Sequence, residues 1–252
     1  MKEWELALNK FVNEYKYLDN VIGIILTGSY ATGNNTINSD IDVFIVTDDN
    51  TKWRERGTKL VDGYLIEYFI NPVRQVLKEI EECLTDYGIS TNLIFIGSKT
   101  LYDRDGTIDM LKKKAQEYLD MEFNDVSDFN YKMNSYTVWH SFYELESKYL
   151  RKLDIDYSYY LYLDNIITGY FYNNKIPRLP QHKVEKILKD EEFRKRYNVF
   201  KLPDSEFINL LINCFDEKDY DKRYEVSKKL YDYYMNSVDF DINDFSLRSE
   251  LD

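Results

Sequence analysis

The sequence predicts an α+β fold in two parts, and two observations carry that reading. Short β-branched runs alternate with helical periodicity as far as Gly106, and from Ile108 onward the periodicity is almost only helical. The division is expected at residue 120, with a mixed part over 1–120 and an all-helical part over 121–252. With 44% hydrophobic residues, 16% aromatic residues, and only 9 Gly and 4 Pro, the chain of 252 residues has enough apolar surface for well-filled cores.

Trp4, Leu8, Phe11, Val12, Tyr15 and Leu18 recur at helical spacing, which predicts an amphipathic helix over 3–18. Val21 to Leu26 is β-branched and reads as a buried strand. A polar, glycine-containing stretch from Gly28 to Ser39 leads to a second strand at Ile41 to Val46, interrupted by Asp42 and ended by Thr47-Asp48-Asp49-Asn50. A third runs from Tyr64 to Ile70 with Glu67 at its centre, closed by Asn71-Pro72. A helix at 73–84, a strand at Leu93 to Ile96 and a turn at Asp103-Arg104-Asp105-Gly106 follow. Helices are then expected over 108–119, 130–153, 157–173, 182–196, 204–215 and 220–236, with breaks at 173–177 and near Pro203. The 24 Tyr and 14 Phe, spread along the whole chain, read as core.

Against 33 Lys and Arg stand 45 Asp and Glu, a net charge of −12. That balance excludes a sequence-wide coat for a nucleic-acid backbone, which rests on Lys and Arg. It favours a cationic substrate, whose concentration rises near acidic clefts. Two cysteines, Cys83 and Cys214, and two histidines, His140 and His182, exclude a disulfide framework, a four-cysteine zinc site and a histidine-rich one. The start, Met1-Lys2-Glu3-Trp4-Glu5-Leu6, lacks the apolar core of a signal peptide, and Val21 to Leu26 is too short to span a bilayer. A cytoplasmic protein without membrane contact is expected.

Three pieces carry chemistry. Leu26-Thr27-Gly28-Ser29-Tyr30-Ala31-Thr32-Gly33 follows a strand, and a Gly-Ser pair there lets the backbone approach a phosphate. It is not a P-loop, because Asn34-Asn35 stand where that motif requires Lys and Ser or Thr. Ser39-Asp40-Ile41-Asp42-Val43 places two carboxylates on one face of a strand, about 7 Å apart along the chain. They repel each other unless a cation lies between them, and hard oxygen donors of this kind suit Mg2+ held together with substrate phosphates. Leu65-Ile66-Glu67-Tyr68-Phe69 offers a lone charge in an apolar run, either a third carboxylate of the same group or a glutamate facing water from an edge strand.

Gly28-Ser29, ten intervening residues, Asp40-Ile41-Asp42-Val43 and the later Ile66-Glu67-Tyr68 together resemble the DNA polymerase β-like nucleotidyltransferase superfamily, over roughly residues 20–106. The resemblance implies a small mixed sheet flanked by helices, and metal-dependent transfer of a nucleoside monophosphate from an NTP such as ATP, with two Mg2+. By position it makes Asp40, Asp42 and Glu67 the metal-binding and catalytic carboxylates, and Gly28, Ser29 and Ser39 nucleotide-binding. Thr32 stands where many members carry arginine, and Thr27 where an apolar residue is usual. The layout, with residues 1–120 catalytic and 121–252 substrate-binding, looks like the antibiotic-modifying branch that includes kanamycin and streptomycin nucleotidyltransferases. That branch implies a small cationic acceptor such as an aminoglycoside.

In the helical part, Val138, Phe142, Leu145 and Tyr149 form a core stripe, and Thr137, His140, Ser141, Glu144, Lys148 and Arg151 a flank. Glu144 and Lys148 are either a solvated i,i+4 pair or, by similarity to a Glu-x-x-x-Lys helix of that branch, a catalytic base and a phosphate-binding lysine. Glu67 or Glu144 would take the acceptor's proton. Two other readings keep their place: a toxin-type or regulatory nucleotidyltransferase acting on tRNA or protein, and a non-enzymatic, antitoxin-like binding module. The presence of all three carboxylates speaks against the last.

Overall fold

The computed structural model describes residues 2–248, which form two compact units. The first runs to Glu122 and takes in Glu191–Phe200; the second comprises Phe123–Asp190 and the chain from Lys201 onward. The first unit contains α1 (Glu3–Tyr15), β1 (Val21–Thr27), α2 (Gly28–Thr32), β2 (Ile41–Thr47), β3 (Glu55–Val61), β4 (Tyr64–Pro72), α3 (Val73–Asp86), α4 (Ser90–Ile96), β5 (Lys99–Asp103) and α5 (Thr107–Leu119).

The sheet is mixed, in the order β3-β4-β2-β1-β5. β2 and β4 are parallel, and every other neighbouring pair is antiparallel. Residues alternate between faces along each strand. Ile41, Val43 and Ile45 of β2 with Ile66 and Ile70 of β4 pack against Leu8, Phe11 and Val12 of α1. Phe44 and Val46 pack on the opposite face with Val76 and Ile80 of α3, Phe95 of α4, and Ile108, Leu111 and Ala115 of α5. Both faces of the central strands are therefore covered, which accounts for the nearly continuous apolar runs of β1 and β2.

Within the first unit, α4, β5 and β3 differ from expectation. Leu93 to Ile96 is not a strand but the end of α4. A short apolar run does not separate strand from helix by periodicity; here Asn92 and Phe95, three apart, are both buried. Asn92 donates to the carbonyls of Ile80 and Ala115, each at 3.3 Å, and so ties α4 to both neighbouring helices. The strand comes next, at β5. β3 was absent from the sequence reading because it is an exposed edge strand with a polar pattern, Glu55-Arg56-Gly57-Thr58-Lys59-Leu60-Val61. Its signal is Asp62-Gly63: both residues have positive φ, 48° and 85°, and they join β3 to β4 as a two-residue hairpin loop of type I′.

The second unit holds α6 (Asp128–Leu150), α7 (Asp156–Asn173), α8 (Val184–Lys189), α10 (Ser205–Asp216) and α11 (Tyr220–Ser237), while α9 (Glu191–Arg196) belongs to the first. The single helix expected over 182–196 is broken because Asp190 leaves helical backbone, at φ −118° and ψ 101°. Val184 and Ile187 are buried from α8 and Phe193 from α9. Asp204 and Asp219 cap α10 and α11 by accepting from backbone N–H groups of the first turn. Only part of the tyrosines form core, and Tyr17, Tyr143, Tyr157 and Tyr160 are exposed. Tyr159 donates to the Cys214 carbonyl at 2.6 Å and Tyr162 to the Ser227 carbonyl at 3.1 Å, so these buried hydroxyls are satisfied. The rings of Phe142 and Tyr231 stack at 4.1 Å.

Cys83 and Cys214 are free and buried, and burial pushes their thiols up to about 11 and about 12. Neither forms thiolate near neutral pH, so both are expected to resist thiol reagents in the native protein and to react once it unfolds. Maleimide labelling followed by mass spectrometry, with and without denaturant, checks this.

Candidate active site

The parallel pairing of β2 with β4 sets Asp42 directly opposite Glu67. By strand alternation both lie on the face that carries Phe44 and Phe69, at the end of the sheet where β2 begins. Asp40 precedes β2 by one residue and projects to the same side. One carboxylate oxygen from each of Asp40, Asp42 and Glu67 lies within 4.8 Å of the others, and all three residues are half-buried. β4 is flanked by β3 and β2, so Glu67 is not the water-facing glutamate of an edge strand.

The approach of Asp42 depends on Gly28. Thr27 pairs with Asp42 across β1 and β2, and Gly28, next in the chain, has φ +65°. A Cβ at Gly28 would fall inside the van der Waals envelope of Asp42 Oδ2 and 2.7 Å from its Cγ. The glycine therefore makes room for a carboxylate as well as turning the chain into α2. α2 has only five residues, too short for a helix dipole of consequence. Thr27 departs from the usual apolar residue for a visible reason: its hydroxyl donates to the Ile94 carbonyl at 3.4 Å, joining β1 to α4.

Ser29 lies beside Gly28, and its hydroxyl makes no hydrogen bond among the described residues. Thr32 offers no cation; its hydroxyl donates to the Gly28 carbonyl at 3.0 Å. Ser39 accepts from the Thr36 N–H at 2.8 Å and so fixes the turn that delivers Asp40. Tyr30 is buried and its ring packs on Trp4, with centroids 4.9 Å apart. Burial first, then Tyr64 and then Asp40 raise the Tyr30 hydroxyl above the ordinary tyrosine value.

Arg56 is the residue that sequence reasoning missed. Its Nε and one terminal nitrogen donate to Glu67 Oε1 at 3.0 and 2.6 Å. Recognising β3 from Asp62-Gly63 would have placed Arg56 two positions from Thr58, the antiparallel partner of Glu67.

Glu144 and Lys148 belong to α6 in the second unit. Glu144 is exposed, Lys148 is half-buried, and no ion pair joins them among the described residues. Ser141, read as part of the same polar flank, is buried and donates to the Val138 carbonyl at 3.0 Å. His140 and His182 are both exposed.

Residues 8–120 match the family model described as "Nucleotidyltransferase domain". The first unit thus carries a nucleotidyltransferase domain. The match takes in β1 to β5, and with them Gly28, Asp40, Asp42 and Glu67. Among solved structures the chain is similar to a nucleotidyltransferase-like protein from Exiguobacterium sibiricum 255-15, with 11% identity, a TM-score of 0.47, and coverage of 93% of this chain and 75% of that one. No curated protein matches the sequence. No helix among the described residues is long and apolar enough to cross a membrane.

For a nucleotidyltransferase the three carboxylates are a chemically suitable metal site. Their donors are hard oxygens, the choice for a divalent cation shared with phosphates. The space that Gly28 leaves lets Asp42 reach the group without strain.

Proposed function

We propose that this nucleotidyltransferase transfers AMP from ATP to a hydroxyl of a small cationic acceptor such as an aminoglycoside, with Mg2+ held by Asp40, Asp42 and Glu67. The observation that carries the reading is the convergence of these carboxylates within 4.8 Å, inside a nucleotidyltransferase domain. In the reaction the acceptor oxygen attacks the α-phosphorus, the bond to the β-phosphate oxygen breaks, and pyrophosphate leaves with that electron pair. Bound divalent ions supply charge neutralisation for this displacement, and two are expected by analogy with such sites. Asp42, near the start of the buried strand β2, and Asp40, just before it, hold the site's geometry. Gly28 keeps the backbone clear, and Ser29 and Ser39 line the nucleotide's side. The acceptor's proton goes to Glu67 or Glu144, and Lys148 is proposed to bind phosphate. The catalytic role falls to residues 1–120 and acceptor binding to residues 121–252, in the cytoplasm, where ATP is abundant.

The net charge of −12 supports a cationic acceptor, since acidic surfaces concentrate polycations and release them as salt rises. The test supplies labelled NTPs and Mg2+ with a panel of aminoglycosides, tRNA and protein, and locates the label by mass spectrometry at low and high salt. Nucleotide on an aminoglycoside, transferred less well at high salt, is the expected result. Label on tRNA or protein instead replaces this acceptor by the toxin-type one, and no transfer to any pool removes the enzymatic proposal.

A further inference from the structure

We propose that Arg56 is a resident counter-charge that holds down the metal affinity of the carboxylate group until a nucleotide adds its own negative charge. The inference rests on the metal-dependent reading of Asp40, Asp42 and Glu67. Arg56 lies on the edge strand β3, paired in register with Phe69 of β4. Its guanidinium carbon is 4.8 Å from the centre of the Phe69 ring, on the sheet face that also carries Glu67. The contact with Glu67 is lopsided. Both donors, at 3.0 and 2.6 Å, fall on Oε1, and Oε2 accepts no hydrogen bond among the described residues. No other cation is hydrogen-bonded to Asp40 or Glu67 among those residues.

Three carboxylates within 4.8 Å repel one another, and Arg56 offsets part of that repulsion. A divalent ion binding there must share Glu67 with the guanidinium and bear its like charge, so both effects weaken binding. The Arg56 side chain is 68% exposed against 20% for Glu67, which limits the effect but does not abolish it. A triphosphate carries enough negative charge to outweigh one guanidinium. The protein would thus take its metal with the nucleotide rather than ahead of it. The plainer role for Arg56 is a cross-strand pair that only stabilises the hairpin, and this predicts no change in metal affinity.

The two roles separate when Mn2+ is titrated into nucleotide-free protein and free Mn2+ is read by electron paramagnetic resonance. Arg56→Ala and Arg56→Gln are expected to bind Mn2+ about three- to tenfold more tightly than the wild type. Arg56→Lys keeps the charge and is expected to stay within about twofold of it, as is Lys59→Ala, which removes a charge paired with Glu14 on the same strand. With a non-hydrolysable NTP present, the gap between Arg56→Gln and wild type should narrow. Unchanged or weaker Mn2+ binding in both neutral variants overturns the proposal, as does equal tightening in Lys59→Ala. Asp42→Asn distinguishes the two levels: if it binds Mn2+ as the wild type does, the metal site itself is wrong.

Discussion

Asp42→Asn is expected to lower nucleotide transfer by about a thousandfold or more. Asp42 is opposed to Glu67 in parallel register and is the carboxylate for which Gly28 makes room, so it shapes the group as well as belonging to it. Asparagine preserves the shape and removes the charge that would neutralise a cation beside the α-phosphate. Asp40→Asn should behave alike. Neither change should harm the fold, because each removes one of three mutually repelling charges; the melting temperature of the metal-free variants should equal or exceed that of the wild type. The check is turnover with labelled NTP beside a thermal melt. Near-wild-type turnover in both variants would falsify the assignment of nucleotidyl transfer to these residues.

Gly28→Val is expected to be the most damaging change in the loop, with Gly28→Ala next and Ser29→Ala well behind. The glycine has φ +65°, where a side chain already costs about 1–2 kcal/mol. The added Cβ would also displace the Asp42 carboxylate. Gly28→Ala should therefore destabilise by about 1–3 kcal/mol and lose affinity for a non-hydrolysable NTP with Mg2+. A cycle isolates the cause: in an Asp42→Gly background, which also removes the Cβ 3.1 Å from the added one, the same change should cost only the backbone part, about 1–2 kcal/mol. Denaturant unfolding gives the stabilities and calorimetric titration the affinities. An equal cost in both backgrounds would show that the clash with Asp42 is not the cause.

The carboxylate group could be read from the sequence because its signals are local. Asp40 and Asp42 lie two residues apart at the start of a strand, Gly28 follows the preceding strand, and apolar neighbours announce that both strands are buried. Glu67 was harder, since its partnership with Asp42 is made across strands distant in sequence. Arg56 was illegible for a further reason. An edge strand with one exposed face and polar residues on both sides has no apolar period to read, and only Asp62-Gly63 marks it. α4 was misread for the opposite cause, an apolar run too short to have a period. The tyrosines were legible as core only in part: Tyr159 and Tyr162 are buried with their hydroxyls on backbone carbonyls, while Tyr157 and Tyr160 of the same helix face solvent, because a tyrosine suits either side of a helix.

The two-residue loop at Asp62-Gly63 separates what can drift in this gene from what cannot. The register of β4 against β2 is held by the apolar face of Ile66 and Ile70, and with it the pairing of Asp42 with Glu67. The register of β3 against β4 is held by the loop. A codon gained or lost between Ile66 and Ile70 would put the two halves of that apolar face out of phase and break the pairing that sets Glu67 opposite Asp42. One gained in the loop would slide β3 alone, carrying Arg56 away from Glu67 while leaving the three carboxylates together. On the roles proposed above, descendants of this sequence could retune when the site takes up its cation by changing the length of one hairpin, without placing the reaction itself at risk.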